Sequence, residues 1–411
     1  MTELVKSMNK GRFIVIVLDS FGIGAMADVP EVRPADIGSN TCLHLLEYPA
    51  AKQWPTLIDL GLINALNKDV PGFPKSKNAI FGKSNLKHFG ADSYFGHQEI
   101  AGTDPKKPLF TQIQRHLDDI EADLLSQGFT VERVSRGGLS LLKVNDVICI
   151  GDNMETDLGQ AINVVGALDY CGFDLIDQVG QIVRKHVHVP RVIAFGGSGV
   201  TIERILDNIV VSGDFIGIDA PGSGVYDQNY HVIHIGYGVD TSKQVPIALA
   251  NIGVENHFYG KVENIIYNPK GTSFACVDTE DTFDALLQDM KDYTTGFFFL
   301  NIQETDLAGH AEDAERYIDR LNVSDRKLAQ LINCLNPQDF LVVMADHGND
   351  PTIGHTRHTR ERVPLLIKQT QHKGLIDIGE RDTMADVGQT VADYFGTKIE
   401  HGTSFLDKIM K

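Results

Sequence analysis

Asp346 and His347 stand side by side where the apolar run Phe340–Ala345 gives way to Gly348, Asn349 and Asp350. A carboxylate next to an imidazole offers a divalent cation one hard oxygen and one nitrogen. His358 follows on a polar, arginine-bearing loop that can fold back over the same crevice. The pattern recurs. The apolar run Phe13–Leu18 stops at Asp19, with Gly22 and Gly24 just beyond it. The run Gly296–Ile302 leads to Asp306 and, four residues later with a glycine before it, to His310. Each group alone has a plain reading as a turn-forming or helix-capping aspartate with a surface histidine. Three strand ends that each carry an acid or an Asp–His group, with His358 besides, are hard to explain as independent caps. Carboxylates and imidazoles in that number suit two divalent ions such as Mn²⁺, Mg²⁺ or Zn²⁺, and paired ions typically run in-line phosphoryl displacement.

A hydroxyl is also at hand. In the segment from Gly90 to Glu99, Asp92 or Ser93 can cap a helix running through Ile100. A serine there becomes a nucleophile if a metal lowers its pKa, although by itself a capping serine is the plainer role.

These groups need elements to hold them. Phe13–Leu18, Gly296–Ile302 and Phe340–Ala345 are continuous apolar runs, as strands of a parallel sheet buried on both faces are. Open α/β sheets place their chemistry at the carboxyl ends of such strands. The loop 36–41 leads into a helix over Cys42–Glu47, and another helix is expected over Thr282–Lys291. From about Asp104 the texture changes. Leu109–Gln127 has the pattern of one long amphipathic helix, Val147–Ile150 and Val192–Phe195 of strands, and Leu175–Lys185 of a helix. Gly196–Gly199 and Asp214–Gly224 look like loops; the glycine cluster is a plain turn in preference to a phosphate cradle. The first texture returns at His231–Ile235. The expectation is a catalytic α/β core from 1–104 and 225–411, with 105–224 inserted as a second domain.

Bulk properties narrow the function. A chain of 411 residues with 42% hydrophobic residues fits two globular domains. Against 37 basic residues stand 55 acidic ones, a formal charge of −18, which argues against nucleic-acid and anionic-membrane partners. A phosphate substrate stays open if metals supply local positive charge. Five scattered cysteines (42, 149, 171, 276, 334) with no paired spacing read as small hydrophobes in a reducing compartment. The run after MTELVKSMNKGR is too short for a signal-peptide core, and no segment approaches a membrane span. A cytoplasmic protein is expected.

At these residues the chain resembles the alkaline phosphatase superfamily of metalloenzymes, and within it the phosphopentomutases. The likeness is carried by VLDSFGIG, the DIGSNT loop, GADSYFGHQEIAG, YGKVENI, LNIQETDLAGH, ADHGNDPT with HTRE, and the C-terminal TMADVGQTVADYF and EHGTSFL. It implies an alkaline-phosphatase-like core, a mainly parallel sheet flanked by helices, with a smaller inserted α/β cap that closes over the site and recognises the sugar. It implies that Asp19, Ser93, Asp346 and His347 hold one metal and Asp306, His310 and His358 the other, Mn²⁺ first among the candidates. Ser93 would carry phosphate, and Lys261 would face the phosphorylated ligand. The implied activity is a phosphomutase acting on a sugar phosphate, with a sugar bisphosphate as possible activator. A phosphatase or phosphodiesterase on the same core, a mutase for a non-pentose substrate, and a non-catalytic binding protein are the alternatives. Phosphopentomutases have threonine at the place of Ser93, whereas cofactor-independent phosphoglycerate mutases use serine. In the cap, RVIA runs into Phe195-Gly196-Gly197 instead of arginine and proline, and only Arg204 stands near the family's arginine-rich strand. Asp152 and Asp157 are the candidates for the cap aspartate that meets the sugar.

Overall fold

The computed structural model describes residues 10–50, 52, 54–155 and 158–410. They form two compact units: one from the chain up to Pro105 together with Asp240–Lys411, the other from Lys106–Val239.

The first unit is built on an eight-stranded sheet. Its order is Thr272–Phe274, Asn256–Tyr259, Gly296–Ile302, Arg12–Leu18, Phe340–Met344, Val363–Lys368, Ala79–Ser84 and Leu375–Arg381. Val363–Lys368 is antiparallel to both neighbours; the other pairings are parallel. The three central strands are buried along their whole length, which is why each is an uninterrupted apolar run. Their register levels them at one edge. Leu18 lies opposite Ile302, and Val17 opposite Met344. The chain therefore leaves all three strands side by side, delivering Asp19, the turn before Asp306, and Asp346 to one place. Helices Thr279–Asp292 and Ala314–Asn333 turn apolar stripes to the core, each capped by an aspartate, Asp278 and Asp313.

The second unit carries its own sheet, ordered His231–Gly236, Arg191–Gly197, Ala161–Ala167, Ile148–Asp152, Leu139–Val144 and Val131–Arg136. Helix Phe173–His186 covers it with Ile176, Val179, Ile182 and Val183 in a separate hydrophobic cluster.

Several expectations shift here. The helix foreseen over Leu109–Gln127 is a short 3-10 turn, Ile113–Arg115, followed by Leu117–Ser126. Residues before it are extended because their amides bond elsewhere, Leu109 to the His188 carbonyl and Thr111 to that of Gly159. His231–Ile235, assigned from texture to the first unit, pairs antiparallel with Arg191–Gly197 in the second, so the return crossing comes after Val239 and not after Gly224. The stretch Asp214–Gly224 holds a strand, Phe215–Ile218, and a helical turn, Ala220–Ser223. Gly196 and Gly197 end a strand and do not make a turn. Cys42 and Cys149 are buried as expected of small hydrophobes, whereas Cys334 is exposed. Among the described residues no helix is long and apolar enough to cross a membrane.

Candidate metal centre

Asp19 is fully buried at the end of its strand. Its Oδ2 accepts from Lys261 Nζ at 2.9 Å and Asn301 Nδ2 at 3.0 Å, while Oδ1 has no hydrogen-bond partner. Burial, then the nearby Asp346, push its pKa up against the pull of Lys261. Asp346, equally buried, accepts the Ser20 amide on Oδ1 at 3.0 Å and the Ser93 hydroxyl on Oδ2 at 2.8 Å. Burial would raise this carboxyl, but His347 and His97 outweigh it and hold it well below the usual range. His347 Nε2 lies 3.6 Å from Asp19 Oδ1 and 3.2 Å from Asp346 Oδ2 without making a hydrogen bond. Burial opposes its protonation, yet Asp346 and the other carboxylates carry its pKa to about 10.

The second cluster sits on the helix Glu304–His310 and on the loop before Arg360. Asp306 is 4% exposed, with Oδ2 3.4 Å from His310 Nε2 and Oδ1 3.2 Å from His358 Nε2. It shares the first turn with no capping task, so the plain reading of a helix cap does not apply to it. Asn349 Nδ2 donates to Asp306 Oδ1 at 3.0 Å. Donor atoms of Asp306, His310 and His358 lie within 4.8 Å of one another, as do those of Asp19, Asp346 and His347. Lys261 bridges the two sets, 2.9 Å from Asp19 Oδ2 and 3.8 Å from Asp306 Oδ2.

The three histidines share one arrangement. His310 Nδ1 bonds the Thr356 carbonyl at 2.6 Å, His358 Nδ1 that of Ala91 at 2.8 Å, and His347 Nδ1 that of Gly348 at 3.0 Å. A carbonyl only accepts, so each Nδ1 carries a proton and each ring turns its Nε2 inward, where a neutral ring would offer a lone pair to a cation. The Nε2 atoms of His310 and His358 are 2.9 Å apart. Inward Nε2 atoms beside carboxylates, with Asp19 Oδ1 and His347 Nε2 left without a hydrogen-bond partner, form a donor set that a bound cation would complete. The donors are nitrogen and oxygen with no thiolate, a set that Mn²⁺, Mg²⁺ and Zn²⁺ all accept.

Every site residue expected from the sequence is thus in or beside these clusters, except the cap aspartates. Asp157 lies outside the described residues. Both oxygens of buried Asp152 are taken by its own fold, from the amides of Ile113 at 2.7 Å and Ile216 at 2.9 Å. Ser93 opens the helix Ser93–Ile100, and Asp92, not Ser93, caps it through the Phe95 amide.

Sequence reasoning missed the supports. His97 donates from Nδ1 to the Ser93 carbonyl at 2.8 Å and accepts from Asn301 Nδ2 at 2.9 Å. Glu361 is fully buried and accepts from the amides of Gly24 and Thr41 and from the hydroxyls of Thr41 and Thr359. A Cβ on Gly22 or Gly348 would overlap its carboxylate. Arg360 fastens the chain ahead of Ser93 by donating to the carbonyls of Leu86, His88 and Gly90. The available signals were a lone asparagine inside GFFFLNI and a histidine one helical turn after Ser93.

A model of the metalloenzyme superfamily matches residues 11–399. A curated relative, a phosphopentomutase from Kosmotoga olearia, is 31% identical over 420 residues, covering 97% of this chain and all of that protein. Among solved structures, a Leishmania mexicana phosphoglycerate mutase is 13% identical with a TM-score of 0.46, over 96% of this chain and 97% of the other. The PH0037 protein of Pyrococcus horikoshii is 15% identical with a TM-score of 0.43, over 96% and 99%. Likenesses at that distance bear on neither the site nor the activity.

Proposed function

The chain belongs to the metalloenzyme superfamily, and from that premise we propose that it is a metal-dependent phosphomutase acting on a sugar phosphate, of the phosphopentomutase kind. One observation carries the reading: at the level ends of parallel strands three histidine Nε2 atoms and three buried aspartates gather in two clusters, and a serine hydroxyl bonds an aspartate of one of them. Asp19, Asp346 and His347 with Ser93 would hold one divalent ion, and Asp306, His310 and His358 a second, with Mn²⁺ the first choice. Bound there, such ions supply the fixed positive charge that phosphoryl transfer needs and lower the proton affinity of a nearby hydroxyl.

The chain's own groups do the rest. Ser93 accepts and returns the phosphoryl group. The Ser93 hydroxyl donates to Asp346 Oδ2, the oxygens 2.8 Å apart; because His347 and His97 hold that carboxyl well below its usual range, it orients the hydroxyl and does not take its proton. Burial works against a charge on Lys261, yet Asp19 and Asp306 raise its pKa, so a full positive charge stands ready for a phosphoryl oxygen. Phosphoserine would pass its phosphate to the free hydroxyl of a sugar phosphate, giving a bisphosphate that returns its other phosphate to Ser93. A trace of such a bisphosphate would prime the unphosphorylated enzyme. The unit Lys106–Val239 would serve as the cap that recognises the sugar, and free cysteines throughout accord with a reducing, cytoplasmic setting.

The test is a screen of pentose and other sugar phosphates against the Mn²⁺-loaded protein, following isomer formation and free phosphate together. Isomer without stoichiometric phosphate is expected. Phosphate released as fast as substrate disappears would replace the mutase with a phosphatase.

A further inference from the structure

The loop 36–41 supplies no member of either cluster, yet Asp36 at its head is fully buried. A carboxylate taken out of water needs partners. Its Oδ2 accepts the amide of Arg360, 324 residues further along the chain, at 2.8 Å, and Arg33 Nε at 2.6 Å. The other arm of that guanidinium, Nη2, donates to the His358 carbonyl at 2.7 Å. Oδ1 lies 3.3 Å from His355 Nε2. His355 Nδ1 accepts the Arg357 amide at 3.3 Å, which leaves the ring's proton on Nε2, on the side of Asp36.

Those attachments bracket one loop. Gly348 and Thr359 close its base by exchanging amide–carbonyl bonds of 2.9 and 2.7 Å. Between them stand His358, a member of the second cluster, and Thr356, whose carbonyl takes the Nδ1 proton of His310. Both imidazoles of that cluster therefore depend on where this loop lies. Asp36 meets the loop at three points: the ring of His355 ahead of the ligand, the carbonyl of His358 by way of Arg33, and the amide of Arg360 behind it. The first cluster is held by other groups, since Asp19 and Asp346 bond to Lys261, Asn301, the Ser20 amide and Ser93.

We propose that Asp36 is a positioning residue for the second metal site. By clamping the segment 355–360 it sets the directions of His358 and His310, and with them the affinity for the ion that Asp306, His310 and His358 would hold. This role rests on the two-ion reading above and is independent of the substrate. It also requires a carboxylate. All three neighbouring groups are N–H donors, so an asparagine would have to turn its own NH2 toward Arg33 and Arg360 or toward His355.

Titration of the metal-free full chain with Mn²⁺, followed by the EPR signal of the unbound ion, reads both sites without turnover. His358→Ala identifies the binding step that belongs to the second cluster. Asp36→Asn is expected to weaken that same step by about 10-fold, as partners behind metal ligands commonly do, and to leave the other step unchanged. Arg33→Gln alters a partly exposed side chain and removes the guanidinium that joins Asp36 to the His358 carbonyl. It is expected to weaken the step by about threefold, and it carries the test should Asp36→Asn not fold. A merely structural Asp36 would lower the metal-free melting temperature and leave both affinities of the folded chain in place. That result, or equal weakening of the two steps, would overturn the proposal. So would a parent chain with no binding step that His358→Ala removes, which would end the two-ion reading as well. Selective weakening of the second ion in a chain that makes no isomer would remove the mutase and leave the role of Asp36.

Discussion

The side-chain amide of Asn301 donates to His97 Nε2 at 2.9 Å and also reaches Asp19 Oδ2 at 3.0 Å. His97 in turn holds the carbonyl of Ser93 and lies 3.3 Å from Asp346 Oδ2. One asparagine inside a buried strand therefore links the serine helix to both carboxylates of the first cluster. Asn301→Leu keeps the volume and removes the donor. It is expected to weaken divalent-metal affinity by about 10- to 100-fold, the usual effect of losing a partner behind the ligands, and to lower kcat. Titration of the metal-free variant with Mn²⁺ reads the first effect directly. Unchanged affinity would reduce Asn301 to a packing residue.

Ser93 and His358 separate catalysis from metal binding. Ser93→Ala removes the hydroxyl that bonds Asp346 but none of the histidine lone pairs, so covalent phosphate and transfer are lost while most metal is retained. Intact-mass spectrometry after incubation with substrate detects the phosphate. Turnover persisting in this variant would rule out its role as phosphate carrier. His358→Ala deletes one donor from a half-buried loop position. It is expected to lower metal occupancy at low Mn²⁺ with a melting temperature, measured without metal, within a few degrees of the parent.

Much of this arrangement was legible in the chain. Strand ends announce themselves when an apolar run breaks at an acid, as at Asp19 and Asp346, because an ionisable group at a buried edge needs a partner. That the three ends meet follows from the register observed, which sets Leu18 opposite Ile302 and Val17 opposite Met344. The supports were illegible for the opposite reason. His97, Glu361 and Arg360 act through contacts across hundreds of residues, and nothing local marks a buried acceptor such as Glu361, whose donors include Gly24 and Thr41. In the second unit the boundary was hidden because the edge strand His231–Gly236 has the apolar look of a first-unit strand, and only its pairing with Arg191–Gly197 assigns it.

The opposite end of the central strand offers a stability test free of the chemistry. Arg12 is 2% exposed and grips Asp339, Nε to Oδ2 at 2.9 Å, while its own amide bonds Oδ1 at 2.7 Å. Its guanidinium also donates to the Met290 carbonyl at 2.6 Å. Arg12→Met leaves Asp339 buried and short of its counter-charge, a change that typically destabilises by ~3–5 kcal/mol. Denaturant unfolding should show that loss. The variant that still folds should keep the KM of the parent, since Arg12 begins the strand that ends at Asp19.

Asp152 gives the second unit a pH dependence of its own. Burial pushes its carboxyl up to about 6, offset in part by the amides of Ile216 and Ile113. Its ordinary value is 3.8, so between about pH 4 and pH 6 the folded chain binds a proton that the unfolded chain releases. Stability conferred by the protonated group is then lost as pH rises through that window and is level above it, by about 3 kcal/mol at most. Hydrogen exchange, corrected for its intrinsic pH dependence, should show the Ile113 and Ile216 amides best protected near pH 4 and less so by pH 6.5. Asp152→Asn, which cannot ionise, should flatten that slope whatever its overall stability. A parent chain whose protection rises with pH across the same window would mean that the two amide bonds outweigh burial and keep Asp152 ionised throughout.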